Sequence, residues 1–343
     1  MLGNSQIAQL LAREAASAKS PVDRALRRAA RAAFMWPEEA STIVSAGRSL
    51  TELQGVGPYL EKWILRWLEN PPEVGMISDL RSGFLSQVEA KAVLAKHPNW
   101  PASVRGDLQM HTVWSDGSGT IEEMAAAAQA RNYQYIAITD HAKGLKIAGG
   151  INEAELQEQA CAISAINEGL KSAIKPLRVL RSIELNLDVK GQEDLEPEAL
   201  SALDLVLGAF HSALRKTEDQ TERYLAALRN PWLHILGHPR GRIYNFRLGL
   251  RADWPRVFEL AAKLDKAVEI DCYPDRQDLD VELLRLARAA GVRISLGTDA
   301  HHPWQLQFIE LGLAAALLAG IPQKRILNFM SAEQLLSWAA LKR

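Results

Sequence analysis

From Val104 to the C-terminus, short runs rich in β-branched and aliphatic residues alternate with amphipathic stretches of helical spacing. This alternation confines that part of the chain to parallel strands joined by crossover helices. The strand candidates are "YIAIT", "LRVLRSIEL", "LDLVLGAF", "LHILGH", "AVEIDC" and "RISLGT". Between most of them lie helices such as "IEEMAAAAQARN", "DQTERYLAALRN", "WPRVFELAAKLD" and "VELLRLARAAG". The expected fold class is α/β, as a barrel or an open sheet. His111, His141, Glu184, His211, His238, Glu269 and Asp299 then fall within or just past the C-terminal ends of predicted strands. Folds of this class place their chemistry there.

Of the eight histidines, five stand at strand ends among carboxylates: His111 with Asp116, His141 with Asp140, His211 in "AFHS", His238 in "LGHP", and His301 with Asp299 in "TDAHH". A single strand-end histidine is usually just hydrogen-bonded. Here residue type and position coincide repeatedly, and a shared site explains both. Imidazole and carboxylate together suit borderline divalent ions such as Zn²⁺, Mn²⁺ or Fe²⁺, whereas all-oxygen sites favour Mg²⁺ or Ca²⁺. His97 and His234 read as surface or packing residues, and His302 is an undecided neighbour of the set.

An apolar fraction of 48% fills a sizeable core, and the formal net charge of −1 argues against a generally basic nucleic-acid coat. Cys161 and Cys272 lie far apart without CxxC spacing, so neither a disulfide framework nor a thiolate zinc site is expected. No run resembles a leader or a membrane span, which with the cysteine usage predicts a soluble, cytoplasmic protein without a membrane partner.

Residues 1–70 read differently, as helices without a convincing strand. "IAQLLAREAASA" has helical spacing, and "VDRALRRAARAAF" follows Ser20-Pro21 as a cap and first-turn proline. Residues 71–101 begin and end in prolines and read as a connector carrying one helical stretch. Residues 102–343 form the α/β domain.

The motifs "DLQMHTVWSDGSGTIEEMAAAAQARNYQYIAITDHAKGL", "SIELNL", "LDLVLGAFHS", "ILGHPRGR", "EIDCYPDRQDL" and "GTDAHH", taken in order, resemble the polymerase-and-histidinol-phosphatase (PHP) domain. The likeness is strongest to the C-terminal PHP domain of bacterial DNA polymerase X family proteins. It implies a distorted (β/α)₇ barrel, two or three divalent metal ions (Mn, Zn or Fe) and hydrolysis of phosphate esters. The family's ligands fall on His111, Asp116, His141, Glu184, His211, His238, Asp299 and His301. Gln109 stands where the family's HxH motif opens with histidine, as a neutral and weaker oxygen donor.

The resemblance groups these as Gln109, His111, Glu184 and Asp299 on a first ion; His141, Glu184 and His211 on a second; and Asp116, His238 and His301 on a third. Glu184, His211 and Asp299 are the catalytic candidates. Arg242 and Arg276 match arginines of the corresponding motifs and are candidates for holding a substrate phosphate. Asp140 reads as an orienter of the ligands.

"SLTELQGVGPYLEKWILRWLEN" resembles a helix-hairpin-helix motif, with Gly55 and Gly57 forming its turn. With the upstream helices it is similar to the small DNA-binding domain of the same polymerase family, which makes Gly55, Gly57, Arg27 and Arg28 DNA-binding candidates. Arg24 and Arg31 complete a basic stripe with them. Glu61 follows the turn, close to any docked phosphate. The stretch between hairpin and barrel is far too short for a nucleotidyltransferase core, so no polymerase activity is expected. Three readings follow: a metal-dependent phosphoesterase acting on DNA as a 3′–5′ exonuclease or 3′-end phosphatase, a small-molecule phosphatase of the histidinol-phosphatase type, or a DNA-binding scaffold with a degenerate metal site.

Overall fold

The computed structural model describes residues 2–171 and 175–341. The helical region opens with α1 (Asn4–Ser17), α2 (Val22–Ala32), α3 (Ala40–Ser45) and α4 (Pro58–Glu69). In α2 the apolar Leu26, Ala29 and Ala30 are buried while Arg24, Arg27, Arg28 and Arg31 stay exposed, the one-sided pattern of a helix lying on a core. The expected first arm of the hairpin is not a full helix. Ahead of the Gly55 turn stands a single 3₁₀ turn at Leu50–Glu52. Glu61 explains its position, because its carboxylate accepts from Ser49 Oγ at 2.6 Å and Leu50 N at 2.8 Å. The residue that threatened to repel a phosphate therefore pins the two sides of the turn together. Gly55 adopts φ +81° with Ala29 and Ala32 packed on it, a conformation and a fit that favour glycine.

Next come α5 (Gln87–Ala95) and α6 (Asn99–Ser103). The expected connector is not a free linker throughout. Ala90, Leu94 and Trp100 join the same apolar cluster as Phe258, Leu284 and Leu313 of the α/β domain, so from Ser86 onward the segment belongs to the barrel's shell.

The α/β part contains β1 (Gly106–Asp107), α7 (Ile121–Ala130), β2 (Tyr135–Ile138), α8 (Glu153–Leu170), β3 (Arg178–Arg181), β4 (Glu184–Asn186), α9 (Pro197–Ser201), β5 (Leu207–Ala209), α10 (Thr221–Arg229), β6 (Ile235–Leu236), α11 (Trp254–Lys263), β7 (Ala267–Asp271), α12 (Val281–Ala290), β8 (Arg293–Gly297), α13 (Ile309–Ala319) and α14 (Ala332–Ala340). All ladders are parallel, in the orders β1-β2-β3 and β4-β5-β6-β7-β8. β3 and β4 are one run broken at Ser182–Ile183. It pairs with β2 before the break and with β5 after it. A parallel bridge from His141 to Glu184 spans the break, and another from Met110 to Ala300 closes β8 onto β1. The eight strands thus occupy seven positions of a closed, distorted α/β barrel.

Alternation sorts the strand residues. Tyr135 and Ala137 face a cluster with Leu207, Ile235 and Ala267, while Ile136 and Ile138 pack under α7. The C-terminal helix α14 plugs the strands' N-terminal end. Trp338 donates from Nε1 to Asp265 O at 3.0 Å, and the buried His234 ring lies 3.0 Å from Ala339 O and accepts from Val206 N. His234 is the packing residue the sequence suggests. The opposite end, where the C-terminal strand ends converge, is left to polar groups.

Candidate metal centre

At that end a single carboxylate organises the site. Glu184, the first residue of β4, is fully buried, and four imidazoles point at it. His238 Nε2 is 2.7 Å from Oε1 and His211 Nε2 is 3.1 Å from the same atom, while His111 Nε2 and His141 Nδ1 are each 3.3 Å from Oε2. Burial pushes the Glu184 carboxyl up, but the surrounding histidines outweigh it and hold it well below the usual carboxylate range. His238 responds in the opposite sense. Burial disfavours its cation, yet Glu184 raises the imidazole to about 10.

A second carboxylate, Asp299, lies just past β8 at φ +52°, a left-handed conformation costly for a non-glycine residue. Its Oδ1 is 3.0 Å from His111 Nε2. Asp116, exposed at the rim, reaches His301 Nε2 at 3.3 Å and His141 Nε2 at 3.6 Å. The His111 ring stacks between those of His141 and His301, with centroids 4.3 and 4.5 Å away.

Asp140 takes the orienting part expected of it. It accepts from Thr112 N and Oγ1, from Ser115 Oγ and from Gln159 Nε2, all at 2.6–2.7 Å, and so fixes the loop that carries His111 and Asp116. His301 Nδ1 lies 2.8 Å from Asp299 O, and His211 Nδ1 lies 3.2 Å from Asn186 Oδ1, contacts that aim each Nε2 inward.

The arrangement suits bound cations. Two sets of donor atoms, His111–Asp116–His141–His301 and His141–Glu184–His211, each lie within 4.8 Å of one another. Among the described residues Nδ1 of buried His111 has no hydrogen-bond partner, and His111 Nε2 and His141 Nδ1 meet carboxylate oxygens at 3.0–3.3 Å without an aligned hydrogen bond. Buried polar atoms without partners are rare, and lone pairs converging with carboxylates are what a divalent ion satisfies.

Geometry bears on the expected grouping of ligands. It keeps His141 with Glu184 and His211, as expected, and sets it beside Asp116 and His301 as well, whereas His238 reaches Glu184 and belongs to neither of these donor sets. The reason is the order of strands in the ring. His141 follows β2, next to β1 with His111 and Asp116, and one step beyond them comes β8 with His301. His238 follows β6, next to β5 with His211.

Gln109 is buried and committed. With its amide nitrogen toward the carboxylate it donates to both oxygens of Glu269, at 2.6 and 2.9 Å. Gly297 permits this pairing. A Cβ there would lie 2.2 Å from Glu269 Oε1 and 2.6 Å from Gln109 Cβ. Burial raises the Glu269 carboxyl to about 8, and Asp271, with Asp299 and Glu269 nearby, is also pushed well up. Glu269 was visible in the sequence as a strand-end residue, but nothing there tied it to Gln109.

Arg242 does not serve as a phosphate holder. It is 4% exposed, its Nε and both terminal nitrogens bond Arg276 O, Ser82 O, Asp280 and Gly83 O, and its guanidinium lies 3.9 Å above the Phe84 ring. It fastens the preceding segment to the barrel instead. Arg276 fits the expected position better, since it is partly exposed and feels the charges of Asp271 and Asp299. Of the helical-region candidates, Gly55 and Arg28 line a groove facing the barrel, whereas Arg27 sits 3.8 Å from Asp23 and Gly57 lies outside that groove.

The sequence model of the PHP domain matches residues 107–273. The chain is 36% identical over 229 residues to the DNA polymerase/3′-5′ exonuclease PolX of Bacillus subtilis; the match covers 66% of this chain but only 40% of that relative. It is 27% identical over 241 residues to a probable phosphatase of Caldicellulosiruptor bescii, covering 67% of this chain and 93% of the relative. Among solved structures, the histidinol phosphate phosphatase of Lactococcus lactis, complexed with zinc, L-histidinol and phosphate, superposes with a TM-score of 0.47 at 17% identity, covering 64% of this chain and 94% of that one.

Proposed function

We propose that the protein, whose residues 107–273 match the sequence model of the PHP domain, is a metal-dependent phosphoesterase acting on DNA ends, as a 3′–5′ exonuclease or 3′-end phosphatase. The observation that carries the reading is the buried Glu184 carboxylate ringed by four imidazoles, with Asp116 and Asp299 beside them. Mixed nitrogen and oxygen donors suit Zn²⁺, Mn²⁺ or Fe²⁺. Asp116 and His301 would hold one ion, His141, Glu184 and His211 another beside His238, and His111, Glu184 and Asp299 a third that lacks a further ligand at Gln109. Bound divalent ions supply an acidified water and neutralise charge on the phosphate oxygens as the ester bond breaks.

The protein's own side chains set the stage for that chemistry. Glu184 and Asp299 keep their negative charge, and they hold the histidines in register around one small volume. Asp140 keeps the loop bearing Asp116 from drifting. Arg276 stands where a guanidinium can fork onto a substrate phosphate. Glu184 and His111 form the buried floor of the site, and Asp116 and His301 are its most exposed members.

DNA is favoured over a small metabolite because a helical unit with a basic face is docked beside the centre, which a metabolite enzyme does not need. The small-molecule phosphatase reading draws on relatives such as the Caldicellulosiruptor protein. The test is incubation of the purified protein with Mn²⁺ and a 5′-labelled single-stranded oligonucleotide. A ladder of shortened products, lost in Glu184→Gln, is expected. An intact oligonucleotide together with hydrolysis of p-nitrophenyl phosphate would transfer the activity to small phosphomonoesters.

A further inference from the structure

Between the helical region and the barrel lies a groove of about 630 Å³. One wall is α2, which offers the exposed Arg28 and Arg31, with the Gly55 turn beside them. The other wall is aromatic. Trp304 is 49% exposed and stands edge-on to Phe308 at 5.2 Å, and Phe308 stands edge-on to Tyr273 at 5.1 Å. A solvent-facing tryptophan supported by two further rings gains little from water and offers a flat face to an unpaired ring.

The groove is wired to the metal centre. The His301 amide donates to Gln305 Oε1 at 2.6 Å, and Gln305 Nε2 donates to the Tyr273 hydroxyl at 3.3 Å. Tyr273 N in turn donates to Asp271 Oδ1 at 2.7 Å. Cations continue along the same line. Arg31 and Arg276 flank Asp275 at 3.9 and 3.5 Å, so one carboxylate sits between two guanidiniums and the groove, with Arg28, remains net positive. Arg31 is the exposed member of the trio, and its 3.9 Å contact with Asp275 is long and weak, so this guanidinium is free to turn to a phosphate.

We infer that this groove holds single-stranded nucleic acid, its phosphates on Arg28, Arg31 and Arg276 and a base stacked on Trp304, and delivers the strand's end to the metal centre. Basic side chains tracking a backbone beside exposed aromatic rings are the chemistry of strand binding without sequence preference, and stacking on Trp304 requires an unpaired base. The inference rests on the hydrolase reading above, to which it adds the form of the substrate and its path.

Binding is measured without turnover, by fluorescence anisotropy of a labelled phosphorothioate oligothymidylate of about 12 nucleotides, within the usual span of such sites. Trp304→Ala is expected to weaken binding about tenfold, the scale of one lost stack. Arg28→Ala/Arg31→Ala, both exposed and safe for folding, is expected to lower the slope of log affinity against log salt by about 1.4. Arg256→Ala/Arg285→Ala, an equal loss of charge on the exposed faces of α11 and α12, is the control and should bind as the parent does. Parent affinity in both groove variants would overturn the inference, as would a duplex of the same length competing equally well. Absence of any phosphoester hydrolysis by a parent protein that still binds through the groove would sink only the hydrolase reading.

Discussion

In the proposed metal centre, the pair formed by Gln109 and Glu269 bears on how many ions can be held. Residues 109 and 111 share one face of an extended segment, so a histidine at 109 would stand beside His111, within reach of the same volume as Glu184 and Asp299. Glutamine instead turns its amide to a buried carboxylate. Gln109→His should therefore raise the metal content of the purified protein, read by inductively coupled plasma mass spectrometry. An unchanged count would mean that Gln109 already serves as a ligand or that the position lies outside the site. Glu269 carries a pH signature in the metal-free protein. Its carboxyl is raised by burial from the ordinary 4.5 to about 8 in the folded state. The folded protein thus keeps a proton that the unfolded chain releases. The associated stability is complete below pH 4.5 and is lost as pH rises through 8. Melting temperature in EDTA should fall across that window and fall less steeply in Glu269→Gln, with Asp271, raised in the same direction, accounting for what slope remains. Superimposable profiles would show that Glu269 does not hold the proton.

At the level of elements, the ring of strands was legible and its irregularities were not. "YIAIT", "AVEIDC" and "RISLGT" mark β2, β7 and β8 because buried parallel strands are continuous apolar runs. "LRVLRSIEL" gave no sign of its break. Asp204 accepts from Arg181 N at 2.9 Å, and Ile183 O accepts from Leu207 N at 3.1 Å, so the run changes partner over two residues through contacts made by distant parts of the chain. The candidate ligands were legible as residues, since period and strand ends locate them one by one. Their grouping was legible only in part, because it depends on which strands are neighbours: His141 with Glu184 and His211 matches a donor set of the structure, while the placing of His238 on Glu184 follows from the pairing of β5 with β6. The motif containing Arg242 misled for a related reason: a guanidinium in a strand-end loop looks the same in sequence whether it meets a phosphate or the backbone carbonyls of Ser82 and Gly83. Of the two glycines expected to form the hairpin turn only Gly55 is left-handed, while Gly57 is the extended N-cap of α4, and the 3₁₀ turn before them depends on Glu61 reaching back to Ser49, an interaction that helix propensity ignores.

For the molecule as a whole, the helical region and the barrel are joined by a side chain that no local pattern announces. Tyr244, in the loop after β6, is fully buried in the core of the helical region, with its ring 4.8 Å from Phe34 and 5.2 Å from Phe84. Its hydroxyl donates to Ala8 O at 3.3 Å, and its amide donates to Asp275 O at 2.8 Å. One residue therefore fixes α1, the segment at Phe84 and the Asp275 loop together, and the Asp275 loop is a wall of the proposed strand groove. Among the described residues no helix is long and apolar enough to cross a membrane. The apolar surface that α1 to α4 bury is spent on one another and on this contact. Removing a buried aromatic ring costs about 3–5 kcal/mol. In Tyr244→Ala that loss falls on the junction, so calorimetry should resolve the single unfolding transition into two, the helical region melting first. The metal centre lies on the far side of the broken contact, so metal content should hold while affinity for the oligothymidylate drops as the groove loses its α2 wall. One undivided transition with a parent-like affinity would mean that Arg242, stacked on Phe84 and bonded to the same segment, suffices to keep the two parts docked.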